Sequence, residues 1–210
     1  MDVVEKELVE ARANICWWFS TLFAHELSEV QLSSYLKGDG AKYLKQLESI
    51  ELFEDHISTL RSALEALNTH KIPHLELAAQ FTELFLTDAK AGAPPYASVY
   101  LSKSGLMFQE QHQAMVKLLA DKGIVVDKNF NEPADHIAIQ LDYLGNLILR
   151  GLSSGASNSI EAEKEAFINA HLLNWLPLLI KKVKSKRTAS PFYTALLVML
   201  VDYLEEEVKR

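Results

Sequence analysis

Two carboxylates and a histidine lie close together in NFNEPADH, at positions 129–136. Glu132, Asp135 and His136 could accept or share hydrogen bonds with an arginine guanidinium or with peptide amides, because charge-assisted hydrogen bonds are the stronger ones. A structural interpretation is also open, since Pro133 suits the first turn of a helix and acidic side chains are favourable there. That interpretation leaves His136 unexplained, so the segment is a candidate binding site.

A second candidate site is PPYASVY, at positions 94–100. Tyr96 and Tyr100 are four residues apart, so one helical turn would place both rings on the same side. Phenol rings beside prolines form a surface that could hold an apolar helix or an extended peptide. The alternative, in which both tyrosines are half-buried packing residues, is the more common situation.

The third segment is FINAHLLNWLPLLI, at positions 167–180. His171 and Trp175 lie on adjacent turns of a predicted helix, where a buried stripe is the more common interpretation. Pro177 predicts a kink in this helix, because proline leaves the carbonyl four residues earlier without its donor. The basic tract at 181–187 suits the end of a helix better than a nucleic-acid site.

The sequence lacks the usual devices of catalysis. It has no phosphate-binding glycine loop of the G-x-x-x-x-G-K-[ST] or G-x-G-x-x-G type and no serine nucleophile elbow. His70 and His74 are separated by Pro73, so they do not favour a shared metal site. Cys16 is the only cysteine, which excludes a disulfide within the chain. We therefore predict a binding protein with no catalytic residues and no metal; a hydrolase with an unfamiliar site and a helical scaffold remain alternatives.

The composition is that of a folded, mildly acidic protein. The 210 residues are 49% hydrophobic and 23% charged, with a formal net charge of −7. A surface of this sign disfavours nucleic acid and anionic membranes and attracts cationic partners. The longest apolar run, Ala195 to Val201, has seven residues, so membrane insertion is not expected. The acidic start MDVVEKELVEAR does not resemble a signal peptide, and we expect a cytoplasmic location.

Helical spacing of apolar residues dominates the chain, and strict two-residue alternation is not evident. The predicted fold class is all-α, a helical bundle in two blocks. The segment 91–96 (AGAPPY) predicts one non-helical connection, because adjacent prolines fix the backbone and remove donors. The other lies near Gly123, which fits a helix C-terminus, and Ile124 to Val126, which favour extended backbone.

These breaks predict an N-terminal helical domain at 1–121, a hinge at 122–132 and a C-terminal helical domain at 133–210. An extended hinge that stays straight would let two chains exchange their halves, giving a domain-swapped homodimer. A plain linker between two domains is the alternative.

Together these segments resemble the TorD family of redox-enzyme maturation chaperones, which includes TorD, DmsD and NarJ. The family's E-P-x-D-H motif is matched at 132–136, and its H-L-x-x-W-x-P element at 171–177. Its aromatic-x-x-L-F stretch is matched at 81–85, with Phe81 where many members have tyrosine, and its P-Y-x-S-x-Y motif at 95–100. LELAAQF and NFNEPADH are most similar to the TorD branch.

The resemblance implies a cytoplasmic chaperone for the catalytic subunit of trimethylamine N-oxide reductase. Such a protein binds the twin-arginine signal peptide and the apo form of the enzyme, and assists insertion of bis-molybdopterin guanine dinucleotide before export. It implies no tightly bound cofactor, weak GTP binding and domain-swapped dimers. A DmsD- or NarJ-like chaperone for another molybdoenzyme is the alternative, as is a GTP-binding or GTP-hydrolysing helical protein.

The resemblance also implies which residues bind the client. The aromatic and proline side chains would hold the apolar stretch of the signal peptide, and the acids and histidine would meet its polar or cationic part. The predicted peptide- and client-binding residues are Phe81, Phe85, Pro95, Tyr96, Ser98, Tyr100, Glu132, Pro133, Asp135 and His136.

Overall fold

A computed structural model describes residues 3–152, 157–186 and 190–210. These residues form helices joined by turns and loops, and no β-strand occurs among them, which confirms the all-α prediction. A 3₁₀ turn at Glu51–Phe53 and a π-helical turn at Asn169–Leu173 interrupt the α-helices. The helices are α1 (Val3–Ala24), α2 (Glu29–Lys37), α3 (Asp39–Glu48), α4 (Glu54–Asn68), α5 (Pro73–Phe85), α6 (Ala97–Leu101), α7 (Glu110–Asp121), α8 (Ile137–Arg150), α9 (Ser157–Ile168), α10 (Leu176–Lys184) and α11 (Pro191–Lys209).

The helices group into two compact units, each assembled from separate stretches of the chain. The first unit consists of Met1–Ala24, Pro95–Pro177 and Leu204–Arg210. The second consists of His25–Pro94 and Leu178–Tyr203. The predicted hinge at 122–132 lies inside the first unit, while the predicted domain boundaries and domain exchange stay predictions.

The predicted break at Gly123 follows the end of α7. Gly123 has a φ of 65°, the left-handed conformation that glycine adopts without a steric cost. The Gly123 amide donates to the Ala120 carbonyl at 3.0 Å and the Ile124 amide to the Leu119 carbonyl at 2.9 Å. These two bonds satisfy the last carbonyls of the helix, as glycine caps commonly do. The chain then continues without helix until α8.

In the first unit, α8 is buried along most of its length and packs against α1. Gly145 makes the close approach of these helices possible, because a Cβ atom at this position would lie 2.7 Å from Trp17 Nε1. No real Cβ contact is that short. The absence of a side chain at Gly145 therefore sets how near α8 can come to α1.

We expect Gly145→Ala to destabilise the protein despite the better helix propensity of alanine. Overpacking costs about 1–3 kcal/mol, and the propensity gain returns only about 1 kcal/mol. Thermal unfolding should show a lower Tm than wild type, whereas Asn146→Ala, an exposed change on the next residue, should leave Tm nearly unchanged. An equal or higher Tm for Gly145→Ala would show that the helices separate without cost.

The last turn of α11 is held in the first unit by a buried ion cluster. The Glu207 side chain is 1% exposed and accepts bonds from Arg12 of α1, with Nη2 at 2.6 Å and Nε at 3.0 Å from its oxygens. Lys164 of α9 contributes a second cation, whose Nζ lies 3.3 Å from Glu207 Oε2. Three helices distant in sequence are thereby joined at one carboxylate.

Glu207→Ala should cost about 1–3 kcal/mol, because Arg12 and Lys164 lose their buried partner and keep only the partly exposed Glu161. Chemical denaturation would measure this loss. Glu205→Ala removes an exposed carboxylate from the same helix turn and serves as the matched control, with a change expected within about 0.5 kcal/mol. Equal effects of the two variants would contradict a special role of the cluster.

In the second unit, α2 begins with a capping box. The Ser28 side chain accepts a hydrogen bond from the Gln31 amide, and the Gln31 side chain accepts one from the Ser28 amide. Helix α5 begins at Pro73, which fits the first turn of a helix. After α5 the Ala93 amide donates to the Leu84 carbonyl at 2.6 Å, and no helix forms before α6. This confirms the predicted non-helical connection at 91–96.

Candidate functional site

The two motif segments of the first unit, 95–100 and 132–136, are joined by backbone hydrogen bonds. The Ile137 amide donates to the Pro95 carbonyl at 3.0 Å, and the Ala97 amide donates to the Asp135 carbonyl at 3.2 Å. The pattern is that of a single antiparallel bridge. Because α6 begins at Ala97 and α8 at Ile137, this pairing fixes the starts of both helices together.

Asp135 reinforces the pairing with its side chain. Its Oδ2 accepts the Ser98 amide at 2.7 Å, and the residue is 0% exposed. Ser98 Oγ in turn accepts the Gln109 amide at 3.2 Å, which connects the start of α6 to the residue before α7. A carboxylate at this place satisfies an amide that the first turn of a helix leaves without an internal partner.

His112 of α7 also contacts this segment. Its Nδ1 accepts the Ala134 amide at 3.0 Å, so this nitrogen carries no proton. The same nitrogen lies 3.9 Å from Asp135 Oδ1, but without a proton there it gives that oxygen no hydrogen bond. Asp135 Oδ1 is buried and has no hydrogen-bond partner among the residues that the structure describes.

The structure corrects the predicted helix start at Pro133, because α8 begins at Ile137 with His136 as its N-cap. His136 Nδ1 accepts the Ala138 amide at 3.1 Å. Residues before it cannot join the helix, since the Asp135 carbonyl bonds to α6 instead. The His136 ring is 3% exposed and makes edge contacts with Tyr96 at 5.1 Å and Phe130 at 5.4 Å between ring centres.

Glu132 is the member of the motif that reaches the surface, because it is only partly buried. The Tyr96 hydroxyl donates to Glu132 Oε2 at 2.7 Å. Burial raises the pKa of Tyr96, and the hydrogen bond and the negative charge of Glu132 raise it further. The phenol therefore stays protonated and acts as a donor near neutral pH.

Tyr100 contacts Trp175, whereas Tyr96 contacts His136. Its ring stacks on Trp175 with 5.5 Å between ring centres, and burial raises its pKa. Trp175 Nε1 donates to the His171 carbonyl at 2.8 Å and lies 3.2 Å from Gln140 Oε1. The third sequence segment thus belongs to the packing around Tyr100, as the more common interpretation of that segment predicted.

Phe81 and Phe85 belong to the second unit, and the other eight predicted residues belong to the first. Their rings contact each other at 5.2 Å and both contact Tyr193, at 5.5 and 5.2 Å between ring centres. Both are nearly fully buried. The peptide-binding role of all ten residues remains a prediction, and the structure adds that most of them, with Glu132 and Tyr100 the partly exposed ones, pack inside the chain.

Sequence analysis missed an apolar cavity of about 630 Å³ in the first unit. Its walls come from the end of α1, the end of α7, the segment after Gly123 and one side of α8. The main apolar lining residues are Leu119, Ile124, Val126, Phe130, Ile139 and Leu149. Because Phe130 also contacts the His136 ring, the cavity adjoins the motif segment.

Polar side chains also line the cavity, and two of them are carboxylates. Asp127 and Asp142 line it together with Asn146 and Arg150. Burial raises the pKa of the Asp142 carboxyl, although the residue is open to solvent on its outer side. Its hydrogen bond comes from Asn146 Nδ2 at 3.3 Å. Only the i, i+4 spacing of Asp142 and Asn146 hinted at this pair in the sequence.

Comparison with known proteins identifies the family. Residues 44–181 match the family model described as nitrate reductase delta subunit. A protein of Vibrio parahaemolyticus serotype O3:K6 named Chaperone protein TorD is 44% identical over 85% of each chain. Proteins of the same name from Aliivibrio salmonicida and Ferrimonas balearica are 42% and 36% identical, over 95% of this chain and 94% and 89% of theirs.

The chain belongs to this family.

Membership in the TorD/NarJ family makes the protein a chaperone of molybdoenzyme maturation and not an enzyme. The predicted resemblance is therefore confirmed. Within residues 3–152, 157–186 and 190–210, no group of three or more His, Cys, Asp or Glu side chains is placed to hold a metal ion. No helix in that part of the chain is long and apolar enough to cross a membrane.

Asp135→Ala should destabilise the protein by about 1–3 kcal/mol, because the buried Ser98 amide loses its acceptor. Thermal and chemical unfolding would measure the change, with Asp121→Ala, an exposed aspartate of α7, as the control. If Asp135→Ala unfolded like the wild type, Asp135 would not be what holds the two motif segments together.

Proposed function

We propose that this protein is the cytoplasmic chaperone of a trimethylamine N-oxide reductase catalytic subunit. It binds the twin-arginine signal peptide and the apo form of that enzyme, and it assists insertion of bis-molybdopterin guanine dinucleotide before export. The observation that carries the proposal is the similarity to proteins named Chaperone protein TorD over nearly the whole chain, 42% identity across 95% of it in one case.

The site supports a peptide ligand on chemical grounds. A twin-arginine signal peptide combines a cationic head with an apolar stretch, and the first unit offers an apolar cavity with carboxylates in its lining. Such a ligand needs an apolar surface for its apolar stretch and carboxylates for its cationic head. Micromolar affinity requires only about 8 kcal/mol, which suits a partner that must later be released.

The ten predicted residues keep a place in this proposal, with two kinds of role. Glu132 is proposed to contact the peptide, since it is the acid of the motif with exposed surface. Asp135 and His136 are proposed to act by positioning, because their polar atoms bond to the backbone of α6 and α8. The remaining seven are proposed to shape the apolar surfaces of the two units. They are Phe81, Phe85, Pro95, Tyr96, Ser98, Tyr100 and Pro133.

We further propose that the chaperone holds no cofactor tightly. Its link to the molybdenum cofactor runs through the client enzyme, and any binding of GTP is weak. Domain exchange at residues 122–132 would give a homodimer by the mechanism that the sequence predicts. Neither nucleic acid nor a membrane is proposed as a partner, consistent with the net charge of −7.

Client capture tests the function. Tagged full-length protein should retain the apo catalytic subunit of trimethylamine N-oxide reductase from an extract in which cofactor synthesis is blocked, as identified by mass spectrometry. Cofactor-loaded enzyme should be retained less. Recovery of neither form, when both are present in the extract, would overturn the proposal.

A nitrate reductase is the second candidate client, because the matching family model is described as nitrate reductase delta subunit. The same capture experiment separates the two. Selective recovery of a nitrate reductase catalytic subunit would move the protein to the NarJ-like group while leaving its chaperone role in place.

A further inference from the structure

Asp142 is a carboxylate placed among apolar groups. It projects from α8 into the lining of the cavity, on the same helix as Ile139 and Leu149. The structure gives its carboxylate one hydrogen bond, from Asn146, and no cation within salt-bridge distance among the described residues. The charged form of a carboxyl in such a place is less stable than in water.

The other charged groups of the cavity do not neutralise Asp142. Asp127 is a second acid, and its Oδ1 accepts the Asn129 amide at 2.9 Å. Arg150 lies two turns further along α8, where its Nη1 is 4.0 Å from Glu163 of α9. The cavity therefore has an excess of negative charge beside its apolar walls.

The walls of the cavity suit a short run of apolar side chains from a bound peptide. Ser20 and Ala24 of α1 are small, and the Ser20 hydroxyl donates to the Ala138 carbonyl at 2.8 Å, so it presents little polar surface. Ligand sites have volumes of roughly 300–1,000 Å³, and the volume here, about 630 Å³, falls inside that range. A few apolar side chains fit, and a folded domain does not.

We propose that this cavity docks the arginine-bearing, apolar segment of the client's signal peptide, with the Asp142 carboxylate accepting the guanidinium. The inference rests on the proposed function and gives it a location. An arginine is favoured over lysine, because its planar donors can bond a carboxylate in parallel and it is less strongly hydrated. Asn146 holds the carboxylate in position from one turn away.

The docking argument rests on charge complementarity. A bound guanidinium would give Asp142 the cation that the described residues do not supply. The apolar residues following the arginine would cover Ile139, Phe130 and Leu149. Burial already raises the pKa of Asp142, so the free protein carries an electrostatic cost that the ligand relieves.

The test is the affinity of the full-length protein for a fluorescently labelled synthetic peptide, an Arg-Arg pair followed by an apolar run, measured by anisotropy. Asp142→Asn should weaken binding about tenfold, because the charge-assisted bond is lost. Asp142→Glu should recover much of the affinity. Glu165→Gln, which removes an exposed carboxylate of α9 outside the cavity, should bind like wild type.

A peptide with both arginines replaced by glutamine isolates the contact. It should bind more weakly to the wild type, and Asp142→Asn should make no further difference, since the carboxylate then has no cation to pair with. In the absence of peptide, Asp142→Asn should be at least as stable as wild type in thermal unfolding. Its folded carboxyl has a raised pKa, so the wild type loses stability as the pH rises and that carboxyl ionises.

Three results would overturn the docking site. One is equal affinity of wild type and Asp142→Asn for the Arg-Arg peptide while the client is still captured, which leaves the chaperone function standing. Another is a change of self-association in light scattering without a change of peptide affinity, which would make the cavity an interface between copies. If the wild type captured the client but bound no signal peptide, the docking site would also be ruled out. If it neither captured the client nor bound the peptide, the proposed function itself would be overturned.

Discussion

The first unit depends on one buried carboxylate and the backbone bonds around it. Asp135 accepts the Ser98 amide through its side chain and the Ala97 amide through its carbonyl, with no exposed surface. These bonds tie the start of α6 to the start of α8. Because α8 then runs directly along α1, its starting point determines where every later side chain of the helix lies. The cavity residues Ile139 and Asp142, three and six residues after the N-cap His136, are placed by that constraint.

Helical periodicity and chain breakers were sufficient to predict the fold class, since amphipathic spacing and proline act locally. The non-helical stretch at 91–96 follows from backbone chemistry within a few residues. At Pro177 a kink within a helix was predicted, and the structure instead begins a new helix, α10, at Leu176. The start of α8 was predicted four residues too early. Pro133 does suit a first turn, but Asp135 accepts amides of α6 through its carbonyl and its side chain, and the Ser98 partner lies 37 residues away along the chain. The residues near Pro133 in the sequence cannot show that Asp135 bonds to a helix so distant along the chain.

The motif residues were found because their types and spacing are unusual, whereas the cavity was not found because it has no motif. Its lining comes from α1, α7, the segment after Gly123 and α8, which no single stretch of sequence brings together. Asp142 stands in an ordinary amphipathic pattern, IAIQLDYLGN, where an acid on a helix usually faces solvent. Only the packing of α8 against α1 places Asp142 at the edge of the apolar cavity.

The two acids illustrate how a chaperone can keep its fold while its ligand surface changes. Asp135 is fully buried and its side chain accepts the Ser98 amide, so exchanging it removes a bond that holds the start of α6 to the start of α8. Asp142 has one weak internal contact and a cost of ionisation, so exchanging it removes little that the fold needs. Under the proposed docking at Asp142, substitutions at that position would alter which peptide is preferred without unfolding the protein. On that proposal, specificity for a client would reside on the open side of α8, while the E-P-x-D-H segment keeps that helix in place.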